Sequence, residues 1–263
     1  DRVASRGLGD VYKRQSDQPR RLEAIYTLGA MGPAALAPLL ESLISVEGQG
    51  RIDPPYVQNE DGSYSVNAVM EAQRRWTEGG YIFQDEAYAL GRLGEVAIDP
   101  LRHLLQSKDP WIVINAAFAL GQIGYPAARA IGDLTVLLDS ADHRVVRAIL
   151  ESIACIGSNT EAALPAIKKI LRTDRETWHQ DTDLPYLVGD QIHFNAALAL
   201  LSSDLPIMVM EDFLLELLER PADRNFVQAI ALEVLLRNPS ESSLPKVLKY
   251  LQVHCWDDTE MSY

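Results

Sequence analysis

The sequence is poor in cysteine and lacks a long apolar segment. Its two cysteines, Cys155 and Cys255, lie far apart along the chain, so we expect no disulfide framework. Cys155 falls on the predicted buried side of a helix. The most apolar stretches, such as residues 111–120, are interrupted by polar side chains before they reach the ~20 residues that a membrane-spanning helix needs. We therefore expect no membrane partner, and because no export signal is recognisable, we expect a cytoplasmic location.

Basic residues are also in the minority. The chain has 24 lysine and arginine residues against 37 aspartate and glutamate residues, for a formal net charge of -13. An acidic surface repels the phosphates of nucleic acids, so we expect no nucleic-acid partner. The alternative is a local basic stripe, for which the candidates are Arg144, Arg147, Lys168, Lys169 and Arg172.

Side chains that carry out catalysis or bind metals are sparse. The five histidines are scattered, and the sequence has no phosphate-binding loop, no nucleophile elbow and no paired cysteines. One acidic segment could gather a divalent cation, although a solvated loop is the interpretation we favour. Its residues are His179, Asp181, Asp183, Asp190 and His193. We therefore expect no catalytic residue, no bound metal and no cofactor.

The first fifteen residues stand apart from the rest. Residues 10–15, DVYKRQ, match the in-frame translation of a transposon-end adapter that is used in DNA sequencing libraries. We expect residues 1–15 to be a non-native tail on a metagenomic fragment, with the natural N-terminus missing. An ordinary basic tail is the alternative interpretation.

An eight-residue pattern recurs along the chain. Its copies are Ile25–Gly32, Ala87–Gly94, Ala117–Gly124 and, more loosely, Leu150–Gly157. Alanine and leucine at helical spacing predict an apolar helix face, and small residues allow the next helix to approach closely. The closing glycine can adopt the left-handed conformation that ends a helix. Each copy is therefore predicted to be the end of a first helix.

A second helix is predicted after each copy. Its start is marked at Pro38, Pro100, Gly132, Pro165 and Pro245. Proline is tolerated in the first turn of a helix because its missing N–H would be unpaired there. Weaker copies predict helix pairs at about 190–202 and 206–219, and at 222–237 and 240–252. The sequence thus predicts an all-α fold of about six helix pairs in a single domain, residues 16–263.

The ending A-L-G-x-[IL]-G followed by a Pro-led second helix resembles HEAT repeats, which are armadillo-type helical repeats, and in particular the short HEAT variety of phycobilin lyase subunits. The resemblance covers residues 19–252 and implies an α–α superhelix, or solenoid. It implies a non-catalytic scaffold that binds a protein or peptide. The sequence does not predict the oligomeric state. A phycobilin-lyase-like subunit and a structural spacer within a larger polypeptide are the alternatives.

The last repeat is expected to act as a cap. Its second helix carries Lys246, Lys249 and Gln252, and a polar tail follows it. A terminal repeat needs a polar outer face because no further repeat covers it.

Two insertions interrupt the repeats, at about 47–80 and 173–189. Residues 56–66 predict a small β-hairpin with Asp-Gly at its turn, and a short helix over about 66–77 follows it. Because insertions in repeat proteins gather on one face, and aromatic and arginine side chains dominate binding hot spots, we expect both segments to contact the partner. The candidate residues are Tyr56, Tyr64, Arg75, Trp76 and Tyr81 in the first insertion and Arg175, Trp178 and Tyr186 in the second. Packing of the rings over a helix end is the alternative.

Overall fold

A computed structural model describes residues 23–45, 85–173, 185–220, 225–237 and 239–254, without the side chains of 185–190, 225 and 254. Within these ranges the regular structure is helical and contains no strand. The predicted all-α fold is therefore confirmed. The contacts divide the chain into two compact units, residues 1–123 and residues 124–263, and each is described by itself.

Twelve helices follow one another in the described residues. Unit 1 contains α1 (Glu23–Ala30), α2 (Leu36–Ser45), α3 (Asp85–Leu93), α4 (Ile98–Leu104) and α5 (Pro110–Ile123). Unit 2 contains α6 (Ile131–Val136), α7 (His143–Ile156), α8 (Leu164–Arg172), α9 (Pro185–Leu201), α10 (Ile207–Leu218), α11 (Asn225–Arg237) and α12 (Leu244–His254). Odd-numbered helices are the predicted first helices, and even-numbered helices are the predicted second helices.

The closing glycines mark where the first helices end, as predicted. Gly32, Gly94, Gly124 and Gly157 all have a positive φ angle, between 63° and 73°. Gly157 is left-handed directly after α7, and its N–H donates to the carbonyl of Ile153 at 2.9 Å. A side chain other than glycine would be strained in this backbone conformation.

Neighbouring helix pairs lie side by side within each unit. In unit 1, α3 packs against α2 and α5, and α5 also packs against α4. In unit 2, α9 packs against α7, α8 and α11, and α11 also packs against α10. Each of these first helices thus lies beside the first helix of the adjacent pair and against the second helix of the preceding pair. This is the contact pattern of a helical repeat.

Glycine allows successive first helices of unit 1 to come close. A Cβ atom added to Gly29 of α1 would lie 2.7 Å from Cβ of Arg92 on α3. A Cβ atom added to Gly91 of α3 would lie 2.6 Å from Cβ of Gln122 on α5. Real Cβ atoms do not approach each other so closely, so both helix contacts require glycine.

The second helices share a common apolar register. Counted from the start of each helix, the first, fourth and eighth places are apolar, which directs one side of the helix to the core. These residues are Leu36, Leu39 and Leu43; Ile98, Leu101 and Leu105; Ile131, Leu134 and Leu138; Leu164, Ile167 and Leu171; Ile207, Met210 and Leu214; and Leu244, Val247 and Leu251.

One expectation about burial is wrong. Cys155 is exposed, because it takes the place in the repeated motif that Arg92 and Gln122, both exposed, take in α3 and α5. In the last repeat, Lys246, Lys249 and Gln252 are exposed, as a cap requires, but Leu236, Leu244 and Leu248 are exposed as well, at 47%, 44% and 50%.

The predicted insertions lie mostly outside the described residues. This holds for residues 1–15, for the hairpin at 56–66, for the helix at 66–77 and for residues 174–184. Helix α9 begins at Pro185, within the range predicted for the second insertion, and proline suits the first turn of a helix.

No single helix among the described residues is long and apolar enough to cross a bilayer. The bent pair Glu23–Ala30 and Gly32–Ser45, with 118° between its parts, meets the length and composition requirement only when the two are taken together.

A carboxylate joins two adjacent turns of unit 2. Asp204 Oδ2 accepts hydrogen bonds from the N–H of Asn159 at 3.2 Å and from the hydroxyl of Ser158 at 3.1 Å. Desolvation raises the pKa of Asp204, but the hydrogen bonds from Asn159 and Ser158 outweigh it, so the pKa lies below its usual value.

We expect Gly91→Ala to lower the free energy of unfolding by about 1–3 kcal/mol, because its methyl group would overlap Gln122 and force α3 and α5 apart. The matched control is Gly132→Ala, where a new Cβ meets no atom within 4 Å. That control should be neutral or more stable by up to about 1 kcal/mol. Urea unfolding followed by circular dichroism measures both. Equal effects of the two substitutions would contradict the close helix contact.

We expect Asp204→Asn to lower stability at neutral pH and to have less effect as the pH falls. A carboxylate with a depressed folded-state pKa contributes stability that is present above the unfolded-state value of about 3.9 and is lost as the pH falls through the folded-state value. Urea unfolding of both proteins at several pH values checks this. A stability difference that does not change with pH would rule out the charged hydrogen-bond acceptor as its cause.

Candidate binding surface

The structure leaves the sequence-predicted binding residues untested. Tyr56, Tyr64, Arg75, Trp76, Tyr81, Arg175 and Trp178 lie outside the described residues. Tyr186 lies in the first turn of α9, and its side chain is not described. The role of these eight residues in binding stays a prediction.

A second group of aromatic residues lies on the first helices of unit 1. The repeated motif places Tyr26, Tyr88 and Phe118 at the same position on α1, α3 and α5. Together with Arg92 and Trp111 they form what we call the aromatic row.

Direct contacts connect four members of the aromatic row in two pairs. The guanidinium carbon of Arg92 lies 4.0 Å from the centroid of the Tyr26 ring, a cation–π geometry. The rings of Tyr88 and Phe118 meet edge to face, with centroids 4.6 Å apart and an interplanar angle of 72°. Tyr88 and Arg92 are one helical turn apart, and Trp111 and Phe118 are two turns apart on one side of α5. The two ring contacts thus link α1 to α3 and α3 to α5, and Trp111 lies two turns before Phe118 on α5.

Exposure changes along the aromatic row. Tyr26 is 54% exposed, whereas Phe118 is 8% exposed. Tyr88 and Trp111 are half-buried. Aromatic rings at a surface leave apolar area in contact with water. Binding of a partner that covered the rings would be favoured, because it removes this area from water. The row is thus anchored in the core at α5 and open at α1.

The backbone that holds Trp111 is well determined by hydrogen bonds. The carboxylate of Asp109 accepts from the N–H of Trp111 at 2.9 Å and so caps the start of α5. The amide of Asn115, which is 1% exposed, donates to the carbonyl of Trp111 at 2.8 Å. Trp111 is therefore presented from a rigid helix start.

Carboxylates flank the aromatic row. Glu23 and Asp85 precede Tyr26 and Tyr88 by three residues, one helical turn, and so lie on the same side of α1 and α3. Arg92 brings a positive charge into the row itself. The surface therefore combines aromatic rings with charges of both signs, in a chain whose net charge is -13.

The second position of the repeated motif, which is aromatic in unit 1, is polar or aliphatic in unit 2. Its residues there are Glu151 on α7, Leu198 on α9 and Glu233 on α11. Arg147 of α7 donates to the side-chain oxygen of Gln191 on α9 at 2.7 Å. The described first helices of unit 2 thus carry polar or aliphatic residues where those of unit 1 carry rings.

The basic side chains of the candidate stripe form contacts within unit 2. Arg144 pairs with Asp142 at 2.7 Å, and Lys169 pairs with Asp139 at 2.8 Å. Arg172 forms a two-pronged ion pair with Glu216 at 2.6 and 3.0 Å, which lowers the pKa of Glu216. Lys169 and Arg172 therefore join neighbouring elements of the unit, whereas Arg144 pairs with the residue that caps its own helix.

His193, a member of the candidate cation site, has a structural role. It is completely buried, and its Nε2 lies 3.0 Å from the carbonyl oxygens of both Ile170 and Thr173, to which it donates at the end of α8. No three His, Cys, Asp or Glu residues in the described ranges come together in a way that could hold a metal ion. The other members of the cluster lie in residues whose side chains are not described.

Sequence reasoning missed the aromatic row although its signal was present. The motif that predicts the helix ends carries a ring at its second position in three successive copies, Tyr26, Tyr88 and Phe118. We expected exposed aromatic side chains in the insertions, because the sequence there lacks the helical spacing that would assign them to a buried face. Whether a ring inside a helix faces the core depends on the next helix, which the motif alone does not reveal.

Comparison with known proteins identifies no family. No protein-family model and no curated protein matches the chain. Among solved structures, one engineered protein is 18% identical with a TM-score of 0.44, over 74% of this chain and 56% of that protein, so this chain spans little more than half its length. A second engineered protein is 22% identical with a TM-score of 0.32, over 64% of this chain and 69% of that one.

A designed armadillo repeat protein in complex with a (KR)4 peptide is also similar. It is 14% identical with a TM-score of 0.37, over 90% of this chain and 93% of that one. At these identities and TM-scores, the assignment of a helical repeat rests on the helix pairing described above.

We expect Tyr26 and Arg92 to be energetically coupled. A double-mutant cycle with Tyr26→Leu and Arg92→Met should give a coupling energy of about 0.5–1 kcal/mol in unfolding experiments, as exposed cation–π pairs do. The control cycle combines Tyr26→Leu with Arg102→Met, since Arg102 pairs with Asp99 on α4. Coupling of the same size in the control cycle would mean that the measured energy does not come from the ring contact.

Proposed function

We propose that this chain is a HEAT-type scaffold whose unit 1 binds a protein or peptide segment through the aromatic row. The observation that supports this proposal most is the pair of contacts that joins aromatic and arginine side chains across α1, α3 and α5, Arg92 over Tyr26 and Tyr88 against Phe118. The repeated closing motif and the Pro-led second helices support the HEAT type.

The composition of the aromatic row suits recognition of a protein segment. Tryptophan, tyrosine and arginine are the residues most enriched in binding hot spots, because each combines a large contact area with a polar end. Rigid helices present them, so little conformational entropy would be lost when a partner binds. The row therefore offers preformed anchors for an extended or helical segment.

Charge favours a partner that carries basic residues beside apolar ones. Glu23 and Asp85 flank the rings, and the whole chain carries a net charge of -13. Such a field accelerates association with a basic segment and penalises an acidic one. We therefore propose that the partner segment pairs an apolar side chain with a nearby lysine or arginine.

The first insertion can contribute to the same surface. Tyr81 precedes Tyr88 by the same seven residues that separate Trp111 from Phe118. We propose that the predicted binding residues of the first insertion, Tyr56, Tyr64, Arg75, Trp76 and Tyr81, contact the same partner as the aromatic row, and that Arg175, Trp178 and Tyr186 of the second insertion also contact a partner.

A random peptide display library tests the proposal with a defined probe. We expect the selected peptides to be enriched in basic and apolar residues, and their affinity for the Tyr26→Ala and Tyr88→Ala variants to fall by about tenfold or more, as for hot-spot residues. The control is Met208→Ala on α10, which removes a side chain that is 79% exposed and lies in unit 2. Helical circular dichroism should stay unchanged in all variants.

Three outcomes would count against the proposed surface. Peptides that bind the tyrosine variants as tightly as the unchanged chain would show that binding lies elsewhere. Selection of acidic peptides would contradict the proposed charge preference. A loss of binding in Trp76→Ala but in neither tyrosine variant would place recognition in the insertion alone.

A further inference from the structure

The side chain of Arg92 is held in one direction by two residues of α1. Its guanidinium carbon lies 4.0 Å from the centroid of the Tyr26 ring. A Cβ atom added to Gly29 would lie 2.7 Å from Cβ, 3.5 Å from Cδ and 3.4 Å from Nε of Arg92. The stem of Arg92 therefore crosses α1 beside the backbone of Gly29 and ends over Tyr26, one helical turn earlier. Both contacts come from the neighbouring helix, so the guanidinium is oriented before any partner binds.

The N–H groups of Arg92 point to no acceptor in the described part of the chain. Arg92 is exposed, and among the described residues its contact is with the Tyr26 ring, while no oxygen there accepts a hydrogen bond from it. By contrast, Arg102, Arg172 and Arg237 each donate to a carboxylate. Stacking on a ring uses the face of the guanidinium, whereas its donors lie along the edge. Arg92 thus offers an oriented edge of N–H donors.

Opposite charges lie at the two ends of the exposed side of α3. Asp85 precedes Tyr88 by three residues and Arg92 follows it by four, so the three residues share one side of the helix. At ~1.5 Å per residue, Asp85 and Arg92 are about 10 Å apart along the helix axis. A carboxylate of a partner would therefore be attracted to the Arg92 end of this side and repelled from the Asp85 end.

A carboxylate matches the donor edge of Arg92 best. The planar fork of arginine forms two parallel hydrogen bonds with a carboxylate, and such charged pairs are about twice as strong as neutral hydrogen bonds. An ion pair in water contributes little, but a partner that covers Tyr26 also excludes water from Arg92, because the two side chains are in contact. A segment that covers both Tyr26 and Tyr88 lies against Arg92 between them. The carboxylate then belongs to a side chain within the segment, and not to its chain end.

We propose that Arg92 binds the carboxylate of an aspartate or glutamate side chain in the partner segment and is a specificity-determining residue of the aromatic row. This inference rests on the proposed function. It adds one acidic residue to a segment that is basic as a whole, with the basic residue near Asp85 and the apolar residue on the rings. The partner is thus recognised by the order of its charges as well as by their sum.

A double-mutant cycle between the chain and a bound peptide tests this pairing. The probe is the tightest-binding peptide from the display library, synthesised with an acetylated N-terminus and an amidated C-terminus so that it has no terminal carboxylate. We expect it to contain an aspartate or glutamate whose replacement by asparagine or glutamine lowers the affinity by about tenfold. The same replacement should have no effect on binding to the Arg92→Gln variant. Arg92→Lys should recover only part of the affinity, because lysine lacks the planar fork.

Arg102→Gln is the matched control. Arg102 belongs to the same unit and pairs with Asp99 on α4, so its loss changes the net charge by the same amount without touching the aromatic row. Peptide affinity should be unchanged in this variant. An equal loss of affinity in Arg102→Gln and Arg92→Gln would assign the effect to net charge and overturn the proposal.

Nitrogen NMR of the arginine side chains reports the state of the guanidinium directly. On peptide binding, we expect the two Nη resonances of Arg92 to separate, because a two-pronged ion pair slows rotation of the guanidinium. Separate resonances in the chain without peptide would show that a carboxylate of this chain already occupies the fork, and would overturn the proposal.

The failure of this pairing is distinguishable from the failure of the proposed function. Peptides that require Tyr26 and Tyr88, but lack an acidic residue or carry one that does not couple to Arg92, would overturn the pairing alone. Peptides that bind the Tyr26→Ala and Tyr88→Ala variants with full affinity would refute the proposed function, and the pairing with it.

Discussion

Close contact between successive first helices, which only glycine permits at positions 29 and 91, is the constraint on which the rest of unit 1 depends. Without a side chain at Gly91, Gln122 can lie directly against the backbone of α3. The same spacing brings the guanidinium of Arg92 over Tyr26 and the ring of Tyr88 against Phe118. The aromatic row is thus a consequence of how tightly these helices stack.

Unit 2 keeps the pairing of helices and has polar links between them. At the place of Gly91, α7 has Ala154 and α9 has Leu201, so the first helices carry larger side chains there. Ion pairs and hydrogen bonds, such as the pair between Arg172 and Glu216, then join neighbouring helices. Arg144, Lys169 and Arg172 are engaged in contacts within this unit. Unit 2 also has an exposed ring, Phe194, which is 42% exposed and meets Phe226 edge to face.

Much of the fold could be predicted because helix ends are local. A closing glycine such as Gly157 adopts its left-handed conformation whatever packs around it, and a proline such as Pro165 marks the first turn of a helix by its own geometry. The exposure of a side chain, in contrast, depends on residues that are distant in the sequence. Cys155 and Leu236 look like core residues in sequence, but each is exposed because of where the neighbouring helices lie. The binding surface depends on such packing.

Nuclear Overhauser effects in the chain labelled for NMR test the helix stacking most directly. The account predicts cross-peaks between the α-protons of Gly91 and the side-chain protons of Gln122, and between those of Gly29 and the side chain of Arg92, because a Cβ at either glycine would overlap the partner residue. Absence of both cross-peaks in a chain with full helical content would show that the first helices do not lie side by side, and would contradict the repeat arrangement.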